Sequence, residues 1–270
     1  MSETTQQAAR AGASGASLTR AMEGAVAVLS LGHAPYNLMD ENLNIELVSG
    51  LEWSQRQGAR AVILRSSLRH FSAGADLDKM VADATTGDDL SWGFTETLRA
   101  FDRHPAPVVA SVHGVCLGGG FELALACDLI VAAESAKFGS VEVTVGLHPL
   151  MGAVQRLTQR AGAARAREMA LLGRRYPASV LERWNIVNFV VADENLDTAT
   201  MVIAQELAHG PSLAHTATKR LVTVAVNEGL AAADDAMADI QRPVIGSADF
   251  RNAVRSYRDN GIGTAEFEGR

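Results

Sequence analysis

Two carboxylates and two runs of small residues are the parts of this chain that could do chemistry. The longer run lies between Ala110 and Asp128, where Gly114 and then Gly118-Gly119-Gly120 lead into Phe121-Glu122-Leu123-Ala124-Leu125-Ala126. Consecutive glycines weaken a helix or strand interior by roughly 0.5–1 kcal/mol each. They suit a place where backbone must come close to a ligand, or where a helix starts with free N–H groups pointing outward. Glu122 follows Gly119 by three residues, so a backbone donor and a carboxylate reach the same place. That pairing suits acyl chemistry, in which the N–H stabilises a developing oxyanion and the carboxylate moves a proton. The ordinary readings of such a run are a tight connection or a phosphate loop. No Gly-Lys-Ser/Thr follows it, and Gly114, Gly118, Gly119 and Gly120 do not make the dinucleotide fingerprint.

The second run is Phe71-Ser72-Ala73-Gly74-Ala75-Asp76-Leu77, whose small residues could line a cleft with backbone. The second carboxylate is Glu142, within Phe138-Gly139-Ser140-Val141-Glu142-Val143-Thr144-Val145-Gly146-Leu147-His148-Pro149. A single glutamate in such a loop ordinarily faces solvent, and it has no basic partner nearby in sequence.

These parts need a scaffold, and the hydrophobic pattern supplies one. Apolar runs at Gly24–Leu31, Ala61–Leu64, Val108–Val112 and Asp128–Ala133 read as buried strands. Helices are expected from Glu41 to about Gln57, capped by Asp40 and ended by Gly58, and from Ser91 to Arg103. Polar residues from Asp83 to Asp89 are expected to form a mobile surface segment. Alternating strands and helices imply an α/β fold with a mostly parallel sheet. Beyond Phe138 helices dominate: one opened by Pro149 and Gly152 through Gln159, another over Ala163–Leu171, and a helical tail over Leu196–Tyr257 broken at Gly210-Pro211, Gly229 and Gly246. A short strand fits at Asn188–Val191. The division expected is a lead-in over 1–17 without order, a core over 18–195, and a helical lid or oligomerisation region over 196–270. The tail is apolar enough, at Leu221, Val222, Val224, Val226, Leu230, Met237, Ile240 and Val244, to leave a sizeable patch exposed on a monomer.

The 270 residues are 47% hydrophobic and 20% charged, with a net charge of −7, which argues against nucleic acid or an anionic membrane as the main partner. No apolar run approaches the roughly 18 residues of a membrane span, and Met1–Ser17 lacks the apolar core of a signal peptide. Cys116 and Cys127 both stand in apolar surroundings, which suggests buried structural thiols in a reducing, cytoplasmic compartment. The seven histidines show no ligand-like spacing, so no metal site is expected, and His113 and His148 read as structural or pocket-lining.

Together, the segments Phe71–Leu77, His113–Asp128 and Phe138–Pro149 resemble the crotonase, or enoyl-CoA hydratase/isomerase, superfamily over about residues 24–260, with a weaker match at Pro35-Tyr36-Asn37. The resemblance implies the crotonase (ClpP-like) fold, built from repeated ββα units with a C-terminal helical region, and an acyl-CoA thioester as substrate. It implies that the N–H groups of Ala75 and Gly119 form an oxyanion hole, and that Ala73, Asp76, Leu77 and Gly118 contact the substrate. Glu122 and Glu142 match both carboxylates of the hydratases, which hold a water between them and add it across the 2,3 double bond. Double-bond isomerase, decarboxylase, thioester hydrolase and a non-catalytic CoA-binding protein are the other members to weigh. Coenzyme A is then part of the substrate, no metal or redox cofactor is needed, and the assembly implied is a homotrimer or a hexamer of two trimers. The chain departs from the family pattern at Leu150 and Ala153, where hydratases usually carry glycine. Leu150 then adds a side chain beside the expected acyl pocket.

Overall fold

The computed structural model describes residues 17–87 and 92–270. In chain order the strands are β1 (Leu18–Glu23), β2 (Val26–Leu31), β3 (Ala61–Ser66), β4 (Val108–Val112), β5 (Val115–Leu117), β6 (Leu129–Ala133), β7 (Lys137–Gly139), β8 (Tyr176–Pro177) and β9 (Phe189–Val191). The helices are α1 (Glu41–Arg56), α2 (Leu77–Thr86), α3 (Phe94–Arg103), α4 (Gly119–Ala126), α5 (Ala153–Leu172), α6 (Ala178–Arg183), α7 (Leu196–His209), α8 (Ser212–Glu228), α9 (Leu230–Ile245) and α10 (Ala248–Asn260). A 3-10 turn spans Glu142–Val145.

The main sheet runs β1-β2-β3-β4-β6-β9, parallel throughout except for the edge pair of β1 with β2. Its central strands are buried on both faces, as their unbroken apolar runs require. The period of two sorts their side chains. Val26, Val28, Ala61 and Ile63 meet Ala204 and Ala208 of α7 on one face. Ala27, Leu29, Leu31, Val62 and Leu64 enter the larger core on the other, with Leu43, Leu47 and Leu51 of α1. Asp40 caps α1 through its Oδ1, which accepts from the Leu43 N–H at 2.8 Å.

A second, three-stranded sheet, β5-β7-β8, stands beside the first. Strands β4 and β6 of the main sheet are each followed directly by a strand of the small one, β5 and β7. This doubling carries the two carboxylates: β5 leads into α4 and Glu122, and β7 leads into the turn with Glu142. The short strands β5, β7 and β8 escape a sequence reading because two or three residues show no periodicity. Edge strand β1 escapes it as well, since Leu18 is its one buried residue.

Several boundaries differ from the sequence expectation. Asp83 to Thr86, expected as surface segment, belong to α2, which Asp76 starts by accepting from the Lys79 N–H at 3.0 Å and Gly87 ends in left-handed conformation. Asp88 and Asp89 lie outside the described residues, as does the expected lead-in apart from Ser17. Helix α3 begins at Phe94, after Gly93 at φ 70°, rather than at Ser91. The expected pair of helices after Pro149 is present within α5, whose two parts are separated by Gly162 in a non-helical conformation (φ 81°, ψ 161°). The first helix of the tail, α7, lies against β2, β3, β4 and β6 and so closes the sheet's second face. Lys219 of α8 reaches back to the core at Asp128, whose Oδ2 lies 2.6 Å from its Nζ and also accepts from the Val108 N–H at 2.7 Å. No helix of the described residues is long and apolar enough to cross a membrane.

The central helix starts two residues earlier than expected, at Gly119 instead of Phe121. Gly118 alone makes the turn (φ 50°, ψ −126°), and Gly119 and Gly120 form the first helical positions. Their reason is packing. A Cβ on Gly120 would stand 2.4 Å from Ser72 Cβ and 3.0 Å from the Ser72 carbonyl oxygen, against which the helix is seated. In an ordinary helix Gly→Ala gains roughly 0.5–1 kcal/mol. Here the sign reverses: Gly120→Ala should destabilise the protein by at least the ~1–3 kcal/mol of core overpacking, read as a lower midpoint in urea denaturation.

Candidate active site

The two small-residue loops meet at the N-terminus of α4. Leu117 donates to the Ser72 carbonyl at 3.0 Å, and Ser72 forms an isolated bridge with Cys116. On the other side, Met39 bridges Ala75: the Met39 N–H donates to the Gly74 carbonyl at 2.8 Å and the Asp76 N–H to the Met39 carbonyl at 3.0 Å. This pairing uses the Gly74 carbonyl and the Asp76 N–H and leaves the Ala75 N–H free. Gly119, first in its helix, has no intrahelical acceptor. Among the described residues neither N–H has a hydrogen-bond partner, and a Cβ built on Gly119 would lie 3.8 Å from the Ala75 nitrogen. Two unpaired donors are therefore adjacent, the geometry that receives an oxyanion.

They open on a partly enclosed, mainly apolar cavity. Ala73, Gly74, Ala75, Leu77, Gly118, Gly119, Glu122, Glu142 and Leu150 all line it. Asp76 does not, because its carboxylate is turned to cap α2. Leu150 stands at the mouth with 38% of its surface exposed. The sequence reading missed Met39, Met80, Phe94, Val141, Thr144, Val145 and Leu147, which complete a mainly apolar wall. Only Met39 had a usable signal, being two residues from Asn37 in the weaker front motif. Asn37 is fully buried and its Nδ2 donates to the Ser66 hydroxyl at 2.8 Å and the Phe71 carbonyl at 3.0 Å, which fixes the segment holding Met39 against the loop.

Each carboxylate is held by one oxygen. Glu122, 2% exposed, accepts at Oε1 from the Met151 N–H at 2.8 Å and the Ala153 N–H at 3.0 Å. Gly152, at φ 87°, bends the chain so that both amides point the same way. The side chains of Leu150 and Ala153 therefore leave the backbone grip on Glu122 intact. Glu142 accepts at Oε2 from the Ser140 hydroxyl at 2.9 Å, while its Oε1 is buried without a partner among the described residues. That free oxygen lies 3.6 Å from where a Gly118 Cβ would stand. Burial raises the Glu122 pKa to about 7, against the pull of its backbone bonds, and the Glu142 charge adds to the rise. Burial raises Glu142 as well, opposed by hydrogen bonding, including that from Ser140, and by His148. The two titrate as a coupled pair.

Other candidate groups are structural. His113 Nε2 pairs with the Leu68 carbonyl at 2.7 Å, and His148 is exposed and outside the cavity wall. Cys116 and Cys127 are free and buried, and burial pushes both thiols up, away from the reactive thiolate. Among the described residues no group of three or more His, Cys, Asp or Glu side chains could hold a metal ion.

The family model for enoyl-CoA hydratase/isomerase matches residues 21–269. The chain is 39% identical to the mevalonyl-coenzyme A hydratase of Beauveria bassiana over 168 residues, which is 58% of this chain and 60% of that protein. It is 34% identical to a probable enoyl-CoA hydratase of Rhizobium meliloti over 218 residues, 77% of this chain and 83% of the relative. Among solved structures, enoyl-CoA hydratase subunit I of Geobacillus kaustophilus superposes with a TM-score of 0.87 at 34% identity, covering 94% of this chain and 98% of that one. The chain belongs to the enoyl-CoA hydratase/isomerase family, and its fold is the crotonase fold.

The raised pKa of Glu122 has a consequence for stability. Between its ordinary value of 4.5 and about 7 the folded protein keeps a proton that the unfolded chain releases. The stabilisation is complete below the ordinary value and is lost as pH rises through the folded one. Glutamine is uncharged and can accept the same two backbone bonds. Glu122→Gln should therefore exceed the parent in stability at about pH 8 by up to roughly 3 kcal/mol, and the gap should close near pH 4.5. Urea denaturation of both proteins at the two pH values checks this.

Proposed function

We propose that this chain is an enoyl-CoA hydratase, a hydro-lyase adding water reversibly across the 2,3 double bond of an enoyl-CoA thioester. The observation that carries the reading is a pair of carboxylates, Glu122 buried and Glu142 half-buried, each pinned by one oxygen and converging on a cavity beside two unpaired backbone donors. The thioester carbonyl would accept from the Ala75 and Gly119 N–H groups. Polarisation draws electrons from the double bond and makes Cβ electrophilic. Glu142 Oε1, the unpartnered oxygen, takes a proton from water as the water oxygen attacks Cβ. The π electrons pass to Cα and the thioester oxygen as an enolate held by the two donors. Glu122, with the higher proton affinity supported by its pKa of about 7, delivers its proton to Cα through the oxygen its backbone bonds leave free. One oxyanion donor is typically worth about 2.7–4 kcal/mol of barrier.

The reading asks for no metal or redox cofactor, since coenzyme A arrives with the substrate. The apolar wall fits a hydrocarbon acyl group, and Leu150 narrows its entrance. Two free buried thiols fit a reducing, cytoplasmic compartment.

Turnover of crotonyl-CoA in ¹⁸O-water tests the reaction. Label in the 3-hydroxyl group is expected. Label in a carboxylate would make the protein a thioester hydrolase, and proton exchange without oxygen uptake an isomerase; either overturns the reading. Glu122→Gln and Glu142→Gln should each lower kcat about 10²–10⁴-fold with little change in KM, because both groups act on the transition state.

The same reading extends to a homotrimer or a hexamer of two trimers. Helix α8 has no buried residue in the single chain, and Val222, Val226, Leu230 and Met237 on α8 and α9 are exposed. Light scattering at micromolar concentration should give three or six times the chain mass, and a stable monomer would refute it.

A further inference from the structure

Glu142 is reached by a side chain that neither the sequence motifs nor the reaction above assigned. Ser140 follows β7 directly and is 1% exposed, as buried as the core. Its hydroxyl donates to Glu142 Oε2 at 2.9 Å and makes no other hydrogen bond among the described residues. A buried hydroxyl that spends its donor on one oxygen of a carboxylate two residues away decides how that carboxylate is rotated.

The backbone on either side of Ser140 is itself fixed to the other half of the site. Gly139 pairs in register with Leu117, and its carbonyl accepts from the Gly118 N–H at 2.9 Å. A Cβ on Gly139 would stand 2.9 Å from the Arg174 carbonyl oxygen, so only glycine fits where the two backbones pass this closely. Phe138 and Phe121 meet edge to face, with centroids 5.6 Å apart, and join β7 to the first turn of α4. Ser140 therefore stands on backbone whose position relative to Gly118, Gly119 and Glu122 is set. A hydrogen bond from it transmits that position to the Glu142 side chain.

We propose that Ser140 is a positioning residue that clamps Glu142 by Oε2 and thereby presents Oε1, and only Oε1, to the reacting water. The proposal rests on the hydratase reading for what Glu142 does, though not for how it is held. The remaining charged groups that face Glu142 are Glu122 on α4, whose own proton affinity the Glu142 charge raises, and His148 beyond the 3-10 turn, which opposes the rise at Glu142. The Ser140 bond acts on Glu142 in the same direction as His148, favouring the charged base form against burial. Glu122 has no hydroxyl donor of this kind. The hydroxyl thus adds to the groups that favour the charged form of Glu142, while burial and the Glu142 charge hold the proton on Glu122.

Ser140→Ala and Ser140→Thr test this, the second keeping the hydroxyl. An infrared titration of the glutamate carboxyl band, with Glu142 identified by subtraction of Glu142→Gln, reads its protonation without turnover. The midpoint should rise by about one pH unit in Ser140→Ala and return towards the parent in Ser140→Thr. With crotonyl-CoA, kcat should fall about tenfold in Ser140→Ala with KM within about twofold, and the acid limb of kcat/KM should move up with the infrared midpoint. An unmoved midpoint in Ser140→Ala overturns the proposal, as does a rate loss that Ser140→Thr does not recover when its thermal midpoint matches the parent's. A parent that hydrates nothing would sink the hydratase reading alone. The infrared midpoint would then decide the role of Ser140, a shift supporting it and no shift refuting it.

Discussion

The site depends on one close approach, that of the glycine-led end of α4 to the loop Ser72–Ala75. Gly120 sits where any side chain would strike Ser72, and Leu117 and Ser72 share a backbone bond. Only this contact puts the Gly119 and Ala75 amides side by side. It also obliges the chain to place a helix N-terminus against a loop with nothing between them, so both segments must be built from small residues. The glycines are therefore conditions of packing first. The free donors follow because the first residues of a helix have no partners to give their N–H groups to.

The rest of the fold keeps this contact in place and dry. The main sheet supplies the rigid floor, covered by α1 on one face and α7 on the other. The small sheet β5-β7-β8 is the second consequential element, since it brings two segments some twenty residues apart into one register. Through it the two carboxylates share a site. Burial then makes their proximity chemically useful, because a charge costs much in an apolar cleft and the proton affinities of both rise. The backbone amides of Met151 and Ala153 offset part of that cost for Glu122, and Ser140 does so for Glu142. The arrangement is asymmetric: amides fixed in a turn hold Glu122, and a side-chain hydroxyl two residues away reaches Glu142.

The side chains at 150 and 153 bear on the site in different ways. At 153 an alanine leaves the N–H where Glu122 needs it, and its methyl is buried. At 150 the leucine side chain reaches the mouth of the cavity. Backbone function survives with both side chains, since an N–H does not depend on the side chain unless the conformation demands glycine. It does so at Gly152, whose φ of 87° turns the two amides together.

Much of the scaffold follows from local sequence alone. Continuous apolar runs make β2, β3, β4 and β6 buried parallel strands, Asp40 starts α1, and glycine breaks divide the C-terminal helices, because these signals act within a few residues. The two glutamates and the two small-residue loops were legible too, as unusual residue types in ordered motifs. The tertiary structure alone decided what depends on residues distant in sequence. The two- and three-residue strands β5, β7 and β8 form only against one another. Asp76, in a motif at the cavity's edge, turned away to cap α2. The holders of the carboxylates, the Met151 and Ala153 amides and the Ser140 hydroxyl, have no mark in composition or spacing. A backbone N–H is the same in every sequence, and which one faces a buried charge is settled only when the chain has folded around it.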